Sequence, residues 1–358
     1  MYTHQYLEAF TARLFEQMGC PPSDAKVVAE LLVKAELRGL SSHGMMRVKD
    51  YYLLVEAGRI NVTPKVRIIH ETPSTATVDG DGALGPVAAK RSMEIAIEKA
   101  RNVGTGWVAT KGSNHFGIAG YYSMMALEHD MVGISMTNAN PLVAPTYSTS
   151  KLLGTNPIAV AIPTLNQPAF VADFATTPIA RGKLAIMGKK GEKLDFGFVQ
   201  DKHGNPSIEP DILLEGGAIL PLGGSADHAS HKGYCMGSLV DIFSAVFSGA
   251  NFGPFVPPQV AYLPLLEQSV GDGLGHFFGA MRIDAFRPAE DFKGKMDQWI
   301  ETFRNAKGIE GQPPVMIPGD PERLFEERIT KEGIKLIAPV IKDLAEIAEK
   351  LNVPFRME

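Results

Sequence analysis

Apolar residues recur three or four positions apart over residues 3–18, at Leu7, Phe10, Leu14 and Met18, which predicts an amphipathic helix. Gly19 stops it and Pro21-Pro22 bar its continuation. Ser23-Asp24 supply an N-cap for a second helix that would bury Val27, Val28, Leu31, Leu32 and Ala35 and end at Gly39. A third helix is expected from Ser41-Ser42 to Ala57-Gly58. That assignment sets His43 and Arg47 one turn apart on one face, near an electropositive helix N-terminus.

The pattern then changes period. Residues 65–79 alternate and carry β-branched side chains, so strands are expected, followed by a helix over 87–103 and a strand over 106–110. Further strands are expected over Met131–Thr137, from Pro157 through Ile162, over 170–177 and over 273–286. Asp173 lies inside an otherwise apolar strand, where a carboxylate needs a hydrogen bond or a ligand. A bland alternative is a cap for a helix beginning near Ile179. Residues 190–228 read as loops around short elements, and Cys235 to Ser248 as a long apolar helix opened by His231-Lys232-Gly233-Tyr234. Residues 289–305 and 322–352 are helical in period. Helical ends around a β-rich middle predict a helical domain from residues 1–72 plus 322–358 and a central sheet domain over 73–321.

Composition narrows the function classes. Of 358 residues, 45% are hydrophobic and 21% charged, as in an ordinary globular protein, and the formal net charge of −5 argues against a nucleic-acid partner. No apolar run is long enough to cross a bilayer, and no secretion signal is evident at the start. Cys20 and Cys235 cannot make a disulfide framework, so a reducing, cytoplasmic setting is expected.

Candidate chemistry gathers at glycine-flanked polar turns. In Ser113-Asn114-His115-Phe116-Gly117 an imidazole sits where a strand gives way to a helix, with glycines that permit close approach of a ligand. Ser42-His43-Gly44 combines a hydroxyl, an imidazole and a glycine, and Arg47 adds a fork-shaped donor suited to a carboxylate. Lys232 at a helix N-terminus suits phosphate. Gly80-Asp81-Gly82-Ala83-Leu84-Gly85 matches the dinucleotide fingerprint between a strand and a helix. The next strand ends in Thr110-Lys111 with no acid for a ribose hydroxyl, so a tight turn is the better reading. His228, His231 and Cys235 have tolerable zinc spacing but no fourth ligand, and no metal is expected. A zinc-binding or non-catalytic protein stays open as the alternative from another class.

Four stretches together change the weighting. Ser42-His43-Gly44 with Arg47, Ser113-Asn114-His115-Phe116-Gly117, Gly154-Thr155-Asn156-Pro157 and His231-Lys232-Gly233-Tyr234 occur in the order and rough spacing of the type-2 malate/L-lactate dehydrogenase family, which the chain resembles from about residue 3 to its C-terminal helix. The resemblance implies a mixed α+β, non-Rossmann fold in which a largely antiparallel central sheet binds NAD or NADP between helical regions, usually in a homodimer. It implies interconversion of a small 2-hydroxy acid and a 2-oxo acid, such as malate or lactate, by hydride transfer. Reduction of a cyclic imino acid and oxidation of ureidoglycolate are alternatives on the same scaffold. By the same resemblance Ser42, His43, Arg47 and His115 are catalytic, and Asn138, Asn140, Thr155, Asn156, Asp173, Phe174, Ala175, His231, Lys232, Gly233, Gly319 and Asp320 contact the dinucleotide. The residues do not decide which of His43 and His115 exchanges the proton. Departures from the family pattern at Thr146-Tyr147-Ser148, at Cys235 and in Leu194–Phe198 surround the expected cofactor cleft.

Overall fold

The computed structural model describes residues 1–356. Three helices open the chain: α1 (His4–Gln17), α2 (Pro22–Leu37) and α3 (Arg47–Glu56). The apolar stripe of α1 buries Leu7, Phe10, Leu14 and Phe15 against α2, each such side chain contributing about 1.5–3 kcal/mol. Strands β1 (Arg67–Glu71) and β2 (Thr75–Asp79) lead into α4 (Gly85–Val103), β3 (Thr105–Ser113), α5 (Ala119–Met125) and β4 (Met131–Thr137). Next come β5 (Ile158–Ile162), β6 (Phe170–Phe174), α6 (Arg181–Lys190), the short strands β7 (Val199–Gln200), β8 (Pro206–Ser207) and β9 (Ala218–Ile219), and α7 (Ser230–Asp241). Strand β10 (Leu274–Arg282) and helices α8 (Ala289–Arg304), α9 (Asp320–Glu332) and α10 (Ala338–Lys350) complete the chain.

Seven strands form one sheet in the order β1-β2-β3-β10-β4-β5-β6, and β8-β7-β9 form a second, small one. Every pairing in the large sheet is antiparallel except β2 with β3, which α4 connects. The fold is therefore mixed, with a mostly antiparallel sheet. Its middle strand is β10, the last in sequence, and alternation along it serves both faces. Phe278 meets Phe116 and Tyr122 on the side of α5, while Phe277 meets Phe243 and Phe247 just after α7 on the other. The chain ends meet at Tyr2, whose backbone exchanges hydrogen bonds with Ile334 at 2.9 and 2.7 Å and whose ring stacks on Phe355.

Several expected boundaries shift. Helix α2 starts at Pro22, with its φ already suited to a first turn, so Ser23 and Asp24 lie inside it rather than capping it. The expected third helix is two elements: a 3₁₀ turn at Ser41–His43, then α3 from Arg47. Gly44 breaks it, because its extended backbone (φ −96°, ψ −137°) cannot continue a helix. His43 and Arg47 are consequently not neighbours on one helical face. The helical run over 322–352 is also two helices, divided at Gly333 (φ 89°), where Ile334 turns to bridge Tyr2. The helix expected to reach Ser248 leaves α-geometry at Ile242 for one π-helical turn, Ile242–Val246.

Candidate active site

Two turns deliver the imidazoles. The Ser41–His43 turn is held by Glu36, a buried carboxylate of α2 that accepts the Ser41 hydroxyl at 2.6 Å and the Met45 amide at 2.8 Å. Gly44 lies against that carboxylate so closely that any Cβ there would overlap it, which accounts for the glycine after His43. The second turn follows β3. Asn114 donates to the Gly82 and Ala83 carbonyls at 3.1 and 2.8 Å, and Gly85 lies so near the Asn114 and His115 carbonyls that a side chain would collide with both. The Gly80–Gly85 stretch therefore supports the His115 turn. Main-chain oxygens of Asn114 and His115 fill the space beside Gly85, the first residue of α4.

His43 and His115 meet face to face, with ring centroids 5.5 Å apart and planes 22° from parallel. Ser42 Oγ lies 2.9 Å from His43 Nδ1. The buried Tyr51 hydroxyl, from α3, lies 2.8 Å from His115 Nδ1 and donates to the His115 carbonyl at 3.2 Å. A phenol that spends its proton on the carbonyl accepts from Nδ1–H, so Nε2 of His115 keeps a free lone pair. Burial pushes the Tyr51 phenol well above its ordinary range, so it stays protonated. Burial, followed by the charge of Arg47, pushes His43 down to about 4. The same causes, with His43 and His276 behind them, hold His115 well below the usual imidazole range. Both rings are neutral at neutral pH.

Arg47 completes the group from the start of α3. Its Nε donates to the Ser42 carbonyl at 2.8 Å and its Nη1 to Asp50 at 2.7 Å. The side-on fork is thereby spent, and the end-on pair Nη1/Nη2 is the edge left for a carboxylate. Ser42, His43, Arg47 and His115 line one cavity together with Asn138, Asn140 and Thr155. Arg181 and Gly182 at the start of α6, with Gln259 and Val260 of a proline-rich loop, form its opposite wall. Among the described residues no hydrogen bond engages the side chains of Asn140 or Thr155, which line the cavity.

The floor is a buried polar network of which the sequence reading singled out only Asn138. His276 of β10 is fully buried, with Nδ1 2.7 Å from Thr137 Oγ1, Nε2 2.7 Å from Ser113 Oγ, and its ring stacked on Phe116. Burial drives it down to about 3. Asn138 donates to Asp241 at 3.2 Å and accepts the Gly275 amide at 3.0 Å. A histidine in a strand of apolar period carries no local signal of such partners, which lie far away in the chain.

The other expected cofactor residues stand outside the cavity wall. Asn156 lies just behind it, accepting the Ala139 amide at 3.1 Å and donating to the Gly237 carbonyl of α7 at 2.9 Å. Asp173 accepts the Gly120 amide at 2.7 Å, so it caps α5 rather than the helix after Ile179. Phe174 is exposed, and Ala175 precedes Thr176, whose amide donates to the Thr155 carbonyl at 2.9 Å. His231 and Lys232 are exposed in the first turn of α7, and Gly233 is pressed against the Leu222 backbone. Gly319 (φ 97°) touches Val171, and Asp320 is engaged by Arg304 at 3.0 Å, Arg323 at 3.2 Å and the Ile317 amide at 3.1 Å. His228 Nδ1 lies 2.9 Å from Ser225 Oγ. Among the described residues no group of three or more His, Cys, Asp or Glu side chains is placed to hold a metal ion.

Residues 2–345 match the family model described as malate/L-lactate dehydrogenase. The chain belongs to that family. It is thus an oxidoreductase of CH–OH groups, and its relatives agree over nearly their full lengths. A malate dehydrogenase from Pyrococcus horikoshii is 41% identical over 348 residues, covering 97% of this chain and 94% of the relative. An L-sulfolactate dehydrogenase from Methanocaldococcus jannaschii is 39% identical over 340 residues, covering 95% and 94%. The crystal structure of a malate dehydrogenase from Entamoeba histolytica superposes with a TM-score of 0.92 at 32% identity, covering 99% of each chain. These enzymes share the arrangement of strands and helices described here.

Proposed function

We propose that this member of the family is an NAD- or NADP-dependent dehydrogenase that interconverts a small 2-hydroxy acid and its 2-oxo acid, on a sheet that is not of the Rossmann type. The observation that carries the reading is the meeting of two neutral imidazoles and a guanidinium on one cavity wall. A bound nicotinamide would supply hydride acceptance in one direction and hydride donation in the other. The wall beside the histidines suits such a group: Asn140 and Thr155 present a neutral amide and a hydroxyl with no hydrogen-bond partner among the described residues, and Asn138 is fixed beneath them by Asp241, Asn251 and Gly275. From there Thr155-Asn156, the end of β6 at Asp173-Phe174-Ala175 and the first turn of α7 with His231-Lys232-Gly233 form a continuous ridge, joined by the Thr176–Thr155 and Asn156–Gly237 hydrogen bonds. We assign the rest of the dinucleotide to this ridge, with Gly319-Asp320 at its far side.

The chain's own groups then divide the work. Arg47 holds the substrate carboxylate on its Nη1/Nη2 edge and fixes which carbon is presented. His115, with Nδ1 tied to Tyr51, offers Nε2 to the hydroxyl proton as the acid is oxidised and returns it on reduction, a contribution of about 10²–10⁴-fold. His43, turned by Ser42, orients the same oxygen. A depressed imidazole is already a free base at neutral pH, which favours His115 as proton acceptor without prior deprotonation. Beyond the cavity, Leu239, Ile242, Val246 and Phe247 expose an apolar stripe along and after α7, and we assign it to the interface of a homodimer. A soluble cytoplasmic enzyme acting on a free metabolite fits these features.

The test is a panel of 2-oxo acids assayed by cofactor absorbance with NADH and NADPH, alongside fluorescence titration of both cofactors. His115→Ala should abolish most turnover while cofactor binding persists. Full turnover in both His115→Ala and His43→Ala would remove the acid–base assignment. Light scattering in solution checks the dimer.

A further inference from the structure

Part of the wall opposite the histidines is a strap, residues 257–268, that runs between two cavities. Gln259 and Val260 line the candidate active site, whereas Pro257, Pro258 and Pro264-Leu265-Leu266 line a second cavity of about 870 Å³. The ends of the strap are fixed. The Val256 amide donates to the Gly253 carbonyl at 3.4 Å, and Asn251 Oδ1 accepts the Val270 and Gly271 amides at 3.0 Å each. Between these points no helix or strand forms. Val260 is buried and Ala261 packs on the main core, but Tyr262, Leu263, Leu265 and Leu266 are exposed.

Arg59 makes up for what this backbone lacks. Its Nη1 donates to the Val260 carbonyl at 3.3 Å and its Nη2 to the Leu263 carbonyl at 2.8 Å. Among the described residues these two hydrogen bonds are the ones that tie the backbone of 257–268 to the rest of the protein. A long contact of 3.4 Å from Arg181 Nη2 to the Tyr262 hydroxyl adds a weaker tie through a side chain. A planar fork on two carbonyls fixes both the position and the orientation of a segment, which a single point contact cannot do. Arg59 is itself set by the end of α3, where its amide returns to the Leu54 carbonyl at 2.9 Å and Gly58 (φ 67°) makes the turn. The same helix carries Arg47 at its start and Tyr51 one turn later. One rigid element thus fixes the guanidinium, the tautomer of His115 and the wall that faces them.

The chamber measures about 110 Å³, below the roughly 300–1,000 Å³ of pockets that enclose a small-molecule ligand. Its inner side is held by the two histidine turns and the buried network beneath them, so the strap is the side free to give way. The larger cavity behind supplies the space for it, and Pro257, Pro258 and Pro264 stiffen the segment so that it moves as a piece. Resting on the dehydrogenase reading, we propose that residues 257–268 open and close the substrate chamber, and that Arg59 is a positioning residue that latches them closed. Retreat into the cavity behind admits the acid and releases the product. Latching returns Gln259 and Val260 to the wall that faces the acid held on Arg47.

The experiment compares the wild-type holoenzyme with Arg59→Ala and Arg59→Lys, assayed with oxaloacetate and with pyruvate. For whichever acid is turned over, Arg59→Ala should raise KM about tenfold, with the loss falling on KM rather than kcat and the cofactor KM unchanged. Arg59→Lys should recover only part of this, because one ammonium cannot span both carbonyls. A readout independent of turnover is nicking by chymotrypsin after Tyr262 and Leu265, followed by mass spectrometry. It should run about tenfold faster in Arg59→Ala, with cleavage elsewhere and the urea midpoint held at wild type. An unchanged substrate KM or an unchanged nicking rate would overturn the proposal. A raised cofactor KM with an unchanged substrate KM would also overturn it, by assigning the strap to the dinucleotide. Faster cleavage throughout the chain with a lowered urea midpoint would do the same, by making Arg59 merely structural. A wild-type protein inert to every 2-oxo acid, yet nicked faster at the strap in Arg59→Ala, would sink the dehydrogenase reading and leave the latch standing.

Discussion

The hydroxyl of Tyr51 lies 2.8 Å from Nδ1 of His115 and donates its own proton to the carbonyl of the same residue. One side chain thereby sets the ring's tautomer and anchors its backbone. Tyr51→Phe keeps the packing and removes both contacts. We expect kcat to fall about tenfold or more with little change in the KM of the cofactor, and the acid limb of the kcat/KM profile to move. Steady-state kinetics across pH would show it. A profile superimposable on wild type would mean that the phenol only fills space.

Glu36 holds the other imidazole's turn from below. Glu36→Gln turns an amide donor toward at least one of two donors, the Ser41 hydroxyl and the Met45 amide. The expected result is a loss of about 1–3 kcal/mol in urea denaturation together with a fall in kcat. Restoring the acid as Glu36→Asp should recover stability only in part, because the shorter chain cannot reach both donors.

Gly85→Ala places a methyl against the Asn114 and His115 carbonyls. We expect a loss of about 1–3 kcal/mol and a marked fall in turnover, with NADH or NADPH affinity held near wild type. Loss of cofactor binding alone, with turnover at saturation preserved, would restore the fingerprint reading of residues 80–85.

Acid stability follows from the buried histidines. His43 at about 4 and His276 at about 3 lie below the ordinary imidazole value, so the unfolded chain binds more protons than the folded one as pH drops. Their contribution is fully present above about pH 6.5 and is progressively lost from there down to the folded values. The urea midpoint should be flat near neutrality and fall between about pH 6.5 and 4, and His276→Gln should flatten that slope. A midpoint independent of pH over this window would refute the assignment.

Much of the scaffold is legible in local sequence, because helix and strand periods are local properties. Strand β4 appears at its expected limits, and α1 and α8 within a residue or two. The breaks are harder. Gly44 and Gly333 interrupt stretches of helical composition for reasons found elsewhere, the first in the Glu36 carboxylate and the second in the pairing of Ile334 with Tyr2. The candidate site shows the same division. Glycine-flanked histidines announce themselves, whereas Tyr51 and Glu36 look like ordinary helix residues and His276 like part of an apolar strand. Their roles arise from contacts with residues distant in sequence, such as Ser113 and Thr137 for His276, which no periodicity encodes.

The turn between β2 and α4 bears on redesign. A pattern scan would nominate residues 80–85 as the place to retune cofactor preference. In this chain those glycines cradle the His115 loop, so mutational libraries aimed at them would mostly yield inactive protein. If the ridge between Thr155 and the first turn of α7 holds the dinucleotide as proposed, efforts to change NAD for NADP are better directed to its exposed side chains, Phe174, His231 and Lys232, which touch neither imidazole.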